Sequence, residues 1–203
     1  MRAILIHGLG RTPLAMAILA ARLRAAGMQT SSFAYSATFE RWESCADRLR
    51  GFIERHAGED RYIVVGHSLG TVLARAVLPR LERQPSACFF IAPPTRACRL
   101  ARALAPRRLY RWLAGEMGQC LASQEFMGSL PLPEVPTRIY VGTAGPRGNY
   151  SPFGEEPNDG VLAVAETLLP SVPVRTVPSL HTFVMNDRRV ARDIVDTVGS
   201  LSI

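Results

Sequence analysis

Residues 65–70 read Val-Gly-His-Ser-Leu-Gly, following the apolar run Tyr62-Ile63-Val64-Val65 and preceding Thr71-Val72-Leu73-Ala74. Gly66-x-Ser68-x-Gly70 at such a junction is the pattern of a sharp strand-to-helix turn that lifts one side chain clear of the backbone. The glycines remove side chains that would collide where strand and helix meet. A serine hydroxyl is a weak nucleophile near neutral pH, so Ser68 needs a base to take its proton. Four histidines are available. His67 sits inside the turn and points away if Ser68 points out, His7 belongs to an earlier turn, and His56 ends a helical stretch among charges. His181, in Pro178-Ser179-Leu180-His181-Thr182-Phe183, follows a strand-like run, in a loop at the same sheet edge as Ser68.

Such a base needs an acid to fix its tautomer and to stabilise the imidazolium formed during reaction. Asp159, in Asn158-Asp159-Gly160, is the one aspartate between Ser68 and His181, and Glu155 and Glu156 are the alternatives. Asp159 has a competing structural role as the N-cap of a following helix, worth about 1 kcal/mol. Attack on a carbonyl also creates an oxyanion, which wants preorganised N–H donors. The amide of Leu69, the residue after the serine, supplies one. The second should come from the turn His7-Gly8-Leu9-Gly10, with Leu9 preferred and Gly10 or Arg11 as alternatives. No cofactor or metal is needed for this chemistry, and no cysteine or histidine spacing suggests a metal site.

These side chains must be brought together by elements that are legible as alternating periods. Residues 3–6, 28–35, 62–65, 87–91, 137–141 and 172–177 read as strands, the best of them short apolar runs of the kind buried on both faces. Residues 14–26, 40–56, 69–81, 161–169 and 187–201 read as helices, with Pro13 suited to a first turn and Gly27 to a C-terminal cap. Strands alternating with helices imply a parallel sheet covered on both faces.

The chain has 203 residues, 47% of them hydrophobic and 20% charged, which describes one ordinary globular domain with a sizeable core. The opening apolar run is too short for a signal peptide, and no run approaches the roughly 20 apolar residues that span a bilayer, so a cytoplasmic location is expected. Cys45, Cys88, Cys98 and Cys120 read as reduced structural thiols. Net charge is +7, and every basic side chain other than histidine is arginine. Arg96, Arg99, Arg102, Arg107, Arg108 and Arg111 fall in one stretch without an acidic residue. Nucleic-acid binding through this cluster is the weaker reading, because it gives Ser68 no part to play.

Taken in order, the His-Gly-Leu-Gly turn, the Gly-His-Ser-Leu-Gly turn, Asn158-Asp159-Gly160 and the late His181 resemble the α/β-hydrolase superfamily, particularly its bacterial lipases and lipase-like esterases. The resemblance runs over nearly the whole chain. It implies an α/β-hydrolase fold; as a departure from the larger members, their antiparallel first strands are expected to be absent, giving a compact, mostly parallel sheet of about six strands. It also implies a Ser68–His181–Asp159 triad, an oxyanion hole of the Leu9 and Leu69 amides, no cofactor, and a small ester substrate with an apolar acyl group. Thioester or amide hydrolysis, acyl transfer, or a non-catalytic binding module on the same fold are the alternatives. Residues 95–133 stand where the family often inserts a cap or lid, within a single domain spanning 1–203. There Leu100, Leu104, Leu109, Trp112 and Leu113 interleave with arginine. The stretch 96–111 could contact a lipid surface or cover a cleft. The simpler expectation is a surface helix whose apolar side rests on the core.

Overall fold

Apolar residues of strand propensity build the centre of the molecule. In the computed structural model, which describes residues 1–149 and 151–201, six strands form one parallel sheet in the order β2-β1-β3-β4-β5-β6. They are β1 (Arg2–Ile6), β2 (Gln29–Phe33), β3 (Tyr62–His67), β4 (Ala87–Ile91), β5 (Thr137–Gly142) and β6 (Val174–Val177). The helices are α1 (Ala17–Ala25), α2 (Trp42–Ala57), α3 (Leu69–Val77), α4 (Arg99–Leu104), α5 (Arg108–Ala122), α6 (Gln124–Ser129) and α7 (Arg188–Ser200). The parallel sheet with helices on both faces is the arrangement expected from the alternating pattern.

Successive side chains of a strand point to opposite faces. Accordingly Ile4, Ile6, Val64 and Phe90 enter the core beneath α2 and α3. Ala3, Leu5, Ile63, Val65, Phe89 and Ile91 enter the core beneath α1 and α7. Each large apolar side chain buried in this way contributes about 1.5–3 kcal/mol. β1, β3 and β4 are buried along almost their whole length, whereas edge strands β2 and β6 are largely exposed or half-buried. This is why the sequence signal is strongest at the centre of the sheet.

Several elements differ from the sequence reading: α3 stops at Val77 and gives way to a 3₁₀ turn over Leu78–Arg80, and β2 covers only Gln29–Phe33. Residues 161–169 form no α-helix, only a 3₁₀ turn at Val164–Glu166. Ala163 is extended (φ −70°, ψ 150°) and bridges back to Asn158. The Asp159 carboxylate takes the Val161 and Leu162 amides, and the Glu166 carboxylate takes the Ala163 amide, so the segment folds back on itself. The last strand starts two residues late, after Ser171 at φ +60° and Pro173.

α7 is fastened to the sheet by Asp193. Its Oδ2 accepts from Tyr140 Oη at 2.7 Å and Arg138 Nη1 at 2.8 Å, and its Oδ1 lies 3.1 Å from Arg175 Nη2. Asp193 thus ties β5, β6 and α7 together, so residues 178–187 between β6 and α7 are anchored at both ends. Among the described residues, no helix is long and apolar enough to cross a membrane.

Candidate active site

Ser68 stands between β3 and α3 with φ 51° and ψ −122°, a conformation that costs a non-glycine residue of order 1–3 kcal/mol. The surroundings hold it there. Its amide donates to the Ile91 carbonyl at 2.9 Å, and its own carbonyl accepts from the Thr71 amide at 2.9 Å and from Thr71 Oγ1 at 2.7 Å. Both flanking glycines are sterically required. A methyl group on Gly70 would lie 2.4 Å from the Ile6 carbonyl oxygen and 2.6 Å from that of His7, and one on Gly66 would lie 2.9 Å from the Thr71 nitrogen.

The structure brings Ser68, His181 and Asp159 into one line of hydrogen bonds. His181 Nε2 lies 3.0 Å from Ser68 Oγ, and His181 Nδ1 lies 2.6 Å from Asp159 Oδ2. A carboxylate oxygen accepts, so Nδ1 carries the ring proton and the Nε2 lone pair faces the serine hydroxyl, which donates. Asp159 is buried, and its other oxygen accepts from the Val161 amide at 2.9 Å and the Leu162 amide at 2.7 Å. Its backbone carbonyl accepts the His181 amide at 2.8 Å. Asp159 thus caps a turn and meets the histidine with separate oxygens, so the two roles do not compete. Glu155 is exposed, and Glu156 pairs with Arg99 at 3.0 Å, so neither alternative acid reaches His181.

His67 does point away from the serine, but it reaches the loop of His181 from behind. Its ring is buried, 5.1 Å from that of His181, and Nε2 lies 3.0 Å from the His181 carbonyl oxygen. Because a carbonyl only accepts, Nε2 bears the proton. Burial, and then the proximity of His181, push the His67 imidazole down to about 3, so the ring is neutral near pH 7. His181 is consequently held by Asp159 at its amide and ring and by His67 at its carbonyl. No local spacing could reveal this, since the partners are 114 residues apart. Asn158 and Glu166 also escaped the sequence reading. Asn158 Nδ2 donates to the Pro146 and Glu156 carbonyls while its Oδ1 accepts the Gly160 amide. Glu166 accepts the Arg99 amide at 2.7 Å and the Ala163 amide at 2.9 Å, tying the start of α4 to the loop that carries Asp159. A glutamate inside the apolar run 161–169 was the available signal.

A cavity of about 310 Å³ opens onto Ser68 and His181, walled by Leu9, Cys98, Leu100, Leu104, Tyr110 and Leu162 among others. A larger cleft of about 640 Å³ lies near the opposite edge of the sheet, at the start of β4 and β5. It touches none of Ser68, His181 and Asp159, and ligands of parallel α/β sheets bind at the carboxyl ends of the strands. Leu9 lines the Ser68 cavity, in the turn closed by the Arg11 amide donating to the Gly8 carbonyl at 3.3 Å. Leu69 is the first residue of α3, where amides lack an intrahelical acceptor. Arg11 Nη2 spans from this turn to Thr182 Oγ1, 2.8 Å away.

The segment 95–133 carries α4, α5 and α6. Leu100 and Leu104 face the cavity. Leu109, Trp112 and Leu113 are exposed, which corrects the expectation that the apolar side of this stretch rests on the core. The core contacts of α5 come instead from Ala114, Met117 and Leu121, where its kink at Gly115 (φ +56°) turns the second half inward. The four cysteines are free; burial raises their thiols, those of Cys45 and Cys98 to about 12.

No curated protein matches the chain by sequence. Among solved structures, it is similar to the mature lipase BlEst2 of Bacillus licheniformis, with a TM-score of 0.74 and 16% identity over 97% of this chain and 91% of that one. It is similar to the RedJ thioesterase of the prodiginine biosynthetic pathway in Streptomyces coelicolor, at 0.65 and 17% over 99% and 90%. A pyrethroid hydrolase from Sphingobium faniae aligns at 0.65 and 14% over 98% and 97%. At such identities these likenesses speak for the fold alone. The model of the alpha/beta hydrolase family matches residues 3–200, and the chain belongs to that family.

Proposed function

We propose that this chain is a serine hydrolase that cleaves carboxylic esters through an acyl-enzyme, with Ser68 as nucleophile, His181 as general base and acid, and Asp159 as the acid that orients it. The observation that carries the reading is the continuous line from Asp159 Oδ2 through His181 to Ser68 Oγ, at 2.6 and 3.0 Å. Ser68 Oγ attacks the ester carbonyl carbon while its proton passes to His181 Nε2. The amides of Leu9 and Leu69 receive the oxyanion. His181 then gives the proton to the departing alkoxide, leaving an ester between Ser68 and the acyl group. Water attacks that ester, with its proton taken by the same nitrogen, and the carboxylic acid leaves with Ser68 restored.

The apolar wall formed by Leu100, Leu104, Tyr110 and Leu162 suits the acyl chain, and we read 95–133 as the cap that completes the pocket. A volume of about 310 Å³ lies at the lower end of the roughly 300–1,000 Å³ usual for ligand sites, which favours a small monoester over a bulky one. Four free cysteines with raised thiols suit a reducing compartment, in keeping with a cytoplasmic location. The test is turnover of matched p-nitrophenyl esters and alkyl thioesters by the wild type and by Ser68→Ala. Ester hydrolysis that vanishes in the variant, with Tm unchanged, supports the reading. Ester turnover that survives it overturns the nucleophile assignment, and turnover of thioesters alone overturns the substrate class.

A further inference from the structure

Leu109, Trp112 and Leu113 stand at helical spacing i, i+3 and i+4, so they share one face of α5. They are 67%, 69% and 52% exposed. The loop before α2 extends this patch. Thr38 Oγ1 donates to the Leu113 carbonyl at 2.6 Å, and the neighbouring Phe39 is 85% exposed. Arg107, Arg108 and Arg111 flank the apolar residues and are themselves exposed, and no acidic residue occurs anywhere between Glu82 and Glu116. Tyr110, on the opposite side of the same turn, lines the cavity over Ser68, as do Leu100 and Leu104 of α4. The elements that wall the pocket therefore also carry an exposed apolar and cationic patch.

We propose that the amino-terminal half of α5, with Phe39, docks this chain onto an anionic lipid surface. Leucine and tryptophan side chains projecting outward fit the boundary between headgroups and acyl chains, and the interleaved guanidinium groups fit lipid phosphates. A second copy of the chain is a poor occupant, since a symmetric pairing would set one uncompensated arginine cluster against another. Docking here places the mouth of the pocket beside the surface from which an apolar acyl group would come. The docking stands on this patch alone and needs nothing from Ser68.

The two tryptophans make the contact directly readable. Trp42 is buried edge-on against Phe126, so a change in emission reports Trp112. The experiment uses the full chain carrying Ser68→Ala, so that no lipid is hydrolysed, with vesicles of phosphatidylcholine alone or mixed with phosphatidylglycerol. The expected result is co-sedimentation with the mixed vesicles only, a blue shift of Trp112 emission, and weakening by salt. A basic residue at an anionic surface contributes roughly a fivefold factor, so R107Q/R108Q/R111Q should bind about a hundredfold more weakly. In an otherwise wild-type chain the same triple substitution should leave turnover of a soluble short-chain ester unchanged. Equal binding to both vesicle types, no vesicle binding, or indifference to the triple substitution would overturn the proposal. So would a solution dimer in which Trp112 is already shielded from acrylamide quenching. Vesicle binding by a chain that hydrolyses no ester would leave the docking standing and remove the hydrolase reading.

Discussion

Asp159→Asn separates the electrostatic part of the site from its shape. The side chains are nearly isosteric, and the native carboxylate accepts three hydrogen bonds, from His181 Nδ1 at 2.6 Å, Val161 N at 2.9 Å and Leu162 N at 2.7 Å. An asparagine has one acceptor oxygen and one donor NH₂ group. With the oxygen kept toward Val161 and Leu162, the NH₂ group faces His181 Nδ1 and that nitrogen must accept. The ring proton then moves to Nε2, and the lone pair that should receive the Ser68 proton is lost. With the amide flipped, the NH₂ group opposes two backbone donors in a buried turn, costing about 1–3 kcal/mol for each group left unsatisfied. The first arrangement is cheaper, so stability should fall little while the wrong tautomer dominates. A loss of about 10⁴ in kcat, the size seen for the equivalent change in serine proteases, corresponds to about 5.4 kcal/mol of transition-state stabilisation. The assay is steady-state hydrolysis of a p-nitrophenyl ester, with Tm recorded for both proteins. A variant within tenfold of wild-type kcat would refute the reasoning, as would Glu155→Gln or Glu156→Gln proving more damaging than Asp159→Asn.

His67 gives a pH prediction of defined sign. Its imidazole takes a proton near 6.5 when unfolded but only near 3 in the fold. Between those values the unfolded chain binds more protons, so this contribution is complete above about pH 6.5 and is lost as pH falls, by up to roughly 1.4 kcal/mol per pH unit. Urea unfolding across that interval should show a shallower slope for His67→Gln than for wild type; identical slopes would contradict the buried neutral ring. Gly70→Ala places a methyl group 2.4 Å from the Ile6 carbonyl oxygen, and backbone meeting backbone can be relieved only by moving α3 away from β1. We expect a loss of about 1–3 kcal/mol together with most of the activity, measured by Tm and turnover, and a wild-type Tm would show that the packing is looser than described.

The sheet was readable because β1, β3 and β4 lie at its centre, where burial on both faces leaves almost uninterrupted apolar runs. Ser68 was readable because the steric demand of its turn is written locally, in Gly66 and Gly70. His181 and Asp159 followed by elimination, since four histidines and one aspartate in the right interval left few choices. The sequence misled where tertiary hydrogen bonds compete with local period. Residues 161–169 have helical spacing, yet the carboxylates of Asp159 and Glu166 and the Asn158–Ala163 bridge fold them back toward His181. The same blindness hid His67, whose carbonyl partner lies across the sheet edge. It also misplaced Leu109, Trp112 and Leu113, because a period of 3.6 marks a shared face without saying whether that face meets protein or solvent.

The proposed chemistry requires Ser68 to be a nucleophile activated by His181. Treating the wild type, Ser68→Ala and His181→Ala with a fluorophosphonate ester and locating the adduct by mass spectrometry tests this directly. We predict a single adduct on the peptide carrying Ser68 in the wild type, none in Ser68→Ala, and labelling slowed by orders of magnitude in His181→Ala. An adduct on another residue, or labelling of Ser68 at full rate without His181, would contradict it.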